Sequence, residues 1–131
     1  MSDSKPTYTP SEAELEILQV LWENQPCSVR EVHEPLSQHK KVGYTTTLKQ
    51  MQRMTDKGLI QRVGEGSPHQ YEALVRENEV QNNLFRRLLN TAFKGSAMEL
   101  VMHALGETQT NPDEIAELEA WLEQQKKQSD E

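Results

Sequence analysis

The chain has 131 residues, 34% of them hydrophobic and 5% aromatic, which suits one small core or a small domain whose helical appendage needs a partner to cover it. Lys and Arg number 14 against 21 Asp and Glu, and the net charge of −7 taken alone argues against nucleic acid, whose affinity comes largely from cations that displace phosphate counterions. No apolar run approaches the roughly 18 residues of a membrane span, the polar start Met1 to Pro10 lacks a signal peptide's apolar stretch, and the single Cys27 excludes an internal disulfide, so a cytoplasmic protein is expected.

Thr9-Pro10-Ser11-Glu12 supplies a capping hydroxyl, a proline for the first helical position and a glutamate three residues after the cap, which predicts a helix start. Leu15, Leu18, Leu21 and Trp22 follow at spacings of three and four and form one apolar stripe, stopped by Asn24-Gln25-Pro26. Cys27 is read as a small, part-buried residue between two helices. Ser28-Val29-Arg30-Glu31 is a second capping box, opening a short helix with Val29, Val32 and Leu36 inward. Gln38 to Lys41 is a basic linker. A third helix is predicted over residues 44–57, with Leu48, Met51 and Met54 buried and Gly58 at the left-handed cap.

Residues 59–63 and 69–74 read as two strands joined by Gly64-Glu65-Gly66-Ser67-Pro68, a turn composition that suits a hairpin. Three short helices and a hairpin are the order of a winged helix-turn-helix, placed in residues 1–75. From residue 76 to 131 the pattern is purely helical. Val80, Leu84, Leu88 and Leu89 mark one helix, Leu100 and Val101 a second, and Ile115, Leu118 and Leu122 a third that starts at Asn111-Pro112-Asp113-Glu114. Each stripe is narrow on a polar surface. A second chain is the economical cover, making residues 76–131 a helical dimerisation region; folding back on residues 1–75 is the alternative. The expected class is therefore mainly α with a small β-hairpin wing.

The distribution of charge reverses the impression of its sum. Between Gln38 and Gly64 six cations (Lys40, Lys41, Lys49, Arg53, Lys57, Arg62) face one anion, Asp56, a local +5, whereas Gly106 to Glu131 holds eight acids and two lysines, a local −6. In a helix-turn-helix the second helix enters the major groove, where its early residues meet base edges while nearby cations hold phosphates. Tyr44, Thr45, Thr46, Lys49 and Gln50 occupy the first two turns of the third helix, away from Met51 and Met54, and Arg53 lies one turn on. Lys40, Lys41 and Arg62 are the expected phosphate contacts. Glu65 is the one charge of the hairpin tip, so a weak wing contact is expected. His33, His39, His69 and His103 are scattered over four elements with no metal-binding spacing, and no Gly-rich phosphate loop or nucleophile elbow occurs, so neither an enzyme nor a cofactor or metal is expected.

In this order and spacing, Ser11 to Leu18 with Val20-Leu21-Trp22, Gly43 to Met54 with Lys57-Gly58-Leu59-Ile60, and Leu89 to Ser96 with Leu100-Val101 and Glu114 to Leu118 resemble the penicillinase-repressor family. That family includes the β-lactamase and methicillin-resistance regulators and a copper-responsive branch. The resemblance covers nearly the whole chain. It implies a transcriptional repressor that binds a palindromic operator as a homodimer, uses no small-molecule substrate, and is released when a membrane-anchored sensor metalloprotease triggers cleavage in the dimerising helices. Where the β-lactamase branch carries its cleaved Asn-Phe pair, this chain has His103-Ala104. The C-terminal Cys-x-Cys motifs of the copper branch have no counterpart here, so copper sensing is not expected. A winged-helix adaptor that binds another protein is the competing reading.

Overall fold

The computed structural model describes residues 9–107 and 111–129. In chain order these form α1 (Glu12–Asn24), β1 (Cys27–Ser28), α2 (Val29–Ser37), α3 (Tyr44–Asp56), β2 (Ile60–Val63), β3 (Gln70–Ala73), α4 (Glu77–Ala92), α5 (Ala97–Glu107) and α6 (Pro112–Ser129). No described helix is long and apolar enough to cross a membrane. The chain divides into two compact units, Met1–Arg86 and Arg87–Glu131. The dividing point falls inside α4, later than the end of the hairpin, so the first turns of that helix cluster with the winged part.

In the first unit, α1 starts two residues later than its sequence suggests. Two registers compete for the cap, Thr9 with Glu12 and Ser11 with Glu14, and the second prevails. The Ser11 hydroxyl accepts the Glu14 N–H at 3.2 Å, and Glu14 Oε1 accepts the Ser11 N–H at 2.8 Å. The other oxygen of Glu14 accepts from Lys57 Nζ at 2.7 Å, so a carboxylate only 1% exposed is bonded through both oxygens. A Thr9 cap would leave that pairing unused. At α2 the expected box forms, with Ser28 N–H donating to Glu31 Oε1 at 2.8 Å and Glu31 N–H donating to Ser28 Oγ at 3.1 Å. Helix α3 ends as expected at Gly58, whose φ of +80° costs an unbranched glycine little. Gly58 N–H donates to Thr55 O and Leu59 N–H to Met54 O, a Schellman arrangement that turns the chain into β2.

One core holds this unit together. Ile17, Leu18 and Leu21 of α1, Val32 and Leu36 of α2, and Met51 and Met54 of α3 pack with Leu59, Ile60 and Tyr71. The strands form one antiparallel sheet in the order β1-β3-β2, in which Cys27 faces Tyr71 and Ile60 faces Ala73. The two-residue β1 was not foreseen. Cys27 sits between α1 and α2 as expected, but as an edge-strand residue and fully buried, at 3% exposure, instead of part-buried. Burial, with the nearby Glu31 carboxylate second, pushes its thiol pKa up from the usual range. Around β1, Gln25 Oε1 accepts the Ala73 N–H at 2.8 Å, and Trp22 Nε1 donates to Val75 O at 3.0 Å. These bonds fasten the end of α1 to the hairpin and the segment after it.

The second unit is helical as expected, and its caps form where the sequence places hydroxyl and amide side chains. Ser96 Oγ accepts the Glu99 N–H ahead of α5, and Asn111 Oδ1 accepts the Glu114 N–H at 2.8 Å while Glu114 Oε1 accepts from Asn111. Its packing is of another kind. Among the described residues neither α5 nor α6 buries a single side chain, and Met98, Met102 and Trp121 are 71%, 63% and 57% exposed.

Candidate nucleic-acid interface

Helix α3 presents two faces. Thr47, Met51 and Met54, at spacings of four and three, are buried and fix its rotation against α1 and α2. That rotation turns Tyr44, Thr45, Thr46, Lys49 and Arg53 outward, with Gln50 half-buried at the border. Arg53 Nη1 donates to Gln50 Oε1 at 3.4 Å. Gly43 caps the helix without a side-chain bond, and its carbonyl accepts the Thr46 N–H at 3.1 Å and the Thr47 N–H at 3.2 Å. Three hydroxyls, an amide and two cations on one strip of a helix can bond both base edges and phosphates.

The pairing of charges divides the cations counted from the sequence. Lys57 is bound to buried Glu14, and Lys40 Nζ lies 2.6 Å from Glu16 Oε1 with both side chains about two-fifths exposed (43% and 38%). Both carboxylates come from α1, too far along the chain for a local charge count to include them. Lys40 can still exchange Glu16 for a phosphate, because an exposed pair of this kind is worth only about 0–1 kcal/mol. Among the described residues Lys41, Lys49, Arg53 and Arg62 have no carboxylate within salt-bridge distance. Arg62 stands on β2 with Nη1 3.0 Å from His69 Nε2, away from the strip of α3 in sequence but at the root of the exposed hairpin tip.

Two residues of this surface escaped the sequence reading. Arg30 of α2 places its guanidinium carbon 5.8 Å from the centroid of the Tyr44 ring, and His33 meets the same ring edge-on at 5.7 Å and 82°. His33 Nδ1 is also 2.9 Å from the hydroxyl of Thr47, which is 2% exposed. Arg30 and His33 sit three apart on α2, one turn of one face, but Arg30 precedes the cation-rich stretch on which the sequence argument rested.

The residues assigned to dimerisation separate by exposure. Leu88, Val101, Ile115 and Leu122 are 42–48% exposed, and Leu84, Leu89, Leu100 and Leu118 are half-buried. Val80 differs from them all. At 3% exposure in the single chain it is already covered, and no apolar surface is left there for a partner.

Three helices followed by a hairpin wing, with β1 completing the sheet, define a winged-helix protein. The structure of a MarR family protein from Bacillus stearothermophilus shares this fold, with a TM-score of 0.52 at 18% identity over 95% of this chain and 78% of that one. Within that class the match is closer in sequence: the family model described as penicillinase repressor covers residues 10–124, and the chain belongs to that family. The methicillin resistance regulatory protein MecI of Staphylococcus aureus (strain N315) is 28% identical over 112 residues, 86% of this chain and 91% of its own length. The penicillinase repressor of Bacillus licheniformis is 28% identical over 116 residues, 88% of this chain and 91% of its own.

Proposed function

We propose that this protein is a cytoplasmic transcriptional repressor that binds a palindromic operator as a homodimer, with α3 in the major groove. The observation that carries the reading is the outward strip Thr45, Thr46, Lys49 and Arg53, fixed in rotation by the buried Thr47, Met51 and Met54. Gln50 completes the base-facing set and Tyr44 borders it at the start of α3, while Lys40, Lys41 and Arg62 take phosphates. The names of the relatives, a penicillinase repressor and a methicillin resistance regulatory protein, support repression as the outcome. Residues 1–75 read DNA in this account, and the helices after residue 76 dimerise, through Leu84, Leu88, Leu89, Leu100, Val101, Ile115, Leu118 and Leu122 but not through Val80. A second copy is the cover that the exposed apolar side chains of α5 and α6 call for. Cleavage triggered by a sensor metalloprotease would separate the copies. His103-Ala104 lies inside α5, so such a cut requires that helix to open first.

The test is a salt titration of binding to a duplex from the gene's own upstream region, beside a scrambled duplex of equal length. Tighter binding to the upstream duplex, weakening steeply with salt, is the expected result. The exposed Glu65 at a hairpin tip without Lys or Arg favours the second reading, an adaptor that binds protein. Equal or absent binding to both duplexes at low salt would count against the repressor at this site and favour the adaptor, or a regulator whose operator lies elsewhere in the genome.

A further inference from the structure

We propose that Arg30 and Tyr44 form a phosphate-gripping corner where α2 meets the start of α3, with His33 as the residue that positions the ring. The proposal rests on the reading of α3 as the DNA-facing helix. Tyr44 is the first residue of α3 and remains 43% exposed, although two side chains of a different helix are arranged around it. Arg30 lies over its face and His33 stands against its edge, and His33 is itself tied to the buried hydroxyl of Thr47. Packing between two helices does not by itself call for an exposed cation on a half-exposed ring.

Recognition of a phosphodiester does. A guanidinium fork matches two phosphate oxygens, and a tyrosine hydroxyl can donate to a third acceptor on the backbone. Because the ring is already held on two sides, little side-chain freedom remains to be lost on binding. Among the described residues Arg30 has no carboxylate within salt-bridge distance, and the carboxylate next to it, Glu31, is engaged with the Ser28 N–H. Thr45, Thr46 and Lys49 continue outward from the same end of α3, so the corner opens onto an extended polyanion instead of a single small anion.

The experiment measures binding to a random-sequence 30-base-pair duplex across a salt series, for the full chain and for the Arg30→Ala, Arg30→Lys, His33→Ala and Lys49→Ala variants, each checked for an unchanged thermal transition. Arg30→Ala is expected to weaken binding about tenfold and to lower the slope of log K against log salt by about one per bound protomer. Arg30→Lys restores the slope but not the full affinity, since the charge returns without the fork. His33→Ala weakens binding with the slope unchanged, because it removes support and no cation. Equal slopes for the wild type and Arg30→Ala, with a lowered slope for Lys49→Ala, overturn the corner and leave α3 as the DNA-facing helix. A wild-type chain whose binding shows no salt dependence overturns both.

Discussion

The two units spend their apolar residues in opposite ways. In the first, Leu18, Leu21, Val32, Met51, Met54 and Ile60 are all 0% exposed, whereas the second keeps Leu88, Val101, Met102, Ile115 and Leu122 open by 42% or more. Helix length does not separate them: α5 and α6 have 11 and 18 residues, against 13, 9 and 13 for α1, α2 and α3. Helix formation and core formation are therefore distinct achievements in this chain. Caps and side-chain spacing suffice for the first, while the second needs apolar faces that converge from several elements.

Placing the same charge in each unit sharpens that contrast. Leu18→Asp puts a carboxylate into the sealed core and is expected to remove most of a stability that is only about 5–15 kcal/mol for a domain of this kind, read as loss of the cooperative urea transition. Leu122→Asp is expected to leave each chain folded but to convert the proposed dimer to monomer in sedimentation and, with the linkage of two half-sites gone, to lower operator affinity about a hundredfold or more. A folded Leu18→Asp protein, or a Leu122→Asp chain that stays dimeric, breaks the comparison from one side or the other.

A smaller effect is expected at the junction of α1 and α3. Glu14→Ala removes the return bond of the capping box and the bond from Lys57 Nζ, and should cost about 1–3 kcal/mol by urea titration, with the loss confined to the first unit. The smallest effect concerns Cys27. Burial raises its thiol pKa in the folded state, so between the ordinary thiol range and the raised value the native chain holds a proton that the unfolded chain has released. Its contribution is full below the ordinary thiol range and declines as pH rises through it. The urea midpoint of the wild type is expected to fall more steeply above pH 8 than that of Cys27→Ala, and alkylation of the folded protein at neutral pH to be slow.

Much of this was legible from local pattern. The Ser28 box, the Gly58 cap, the inward Val29, Val32 and Leu36, and the buried Met51 and Met54 of α3 depend on residues within a few positions of one another, and the structure bears them out; Leu48 of the same stripe is half-buried, with Thr47 in the buried place. The readings that failed depend on partners far along the chain. The choice of Ser11 over Thr9 is favoured by Lys57, and β1 exists because Tyr71 lies beside Cys27. Glu16 draws Lys40 into an ion pair, and Arg30 meets Tyr44 only once α2 and α3 are packed together. The burial of Val80 belongs to the same group. Its place in the stripe of α4 matches Leu84 and Leu88, and its 3% exposure is a property of the folded chain that the stripe alone does not carry.

The two tryptophans of the chain fall one to each unit, Trp22 with its indole N–H bound to Val75 O and Trp121 open on α6. Nature has thereby placed a separate fluorophore on each half of the molecule. With Trp121 replaced by Phe, emission follows the hydrogen-bonded indole and hence the wing fastened beside it; with Trp22 replaced, it follows a ring whose surroundings change when α6 acquires a neighbour. The order in which the halves melt, and the concentration at which copies meet, can thus be read as two colours of light from an unlabelled protein.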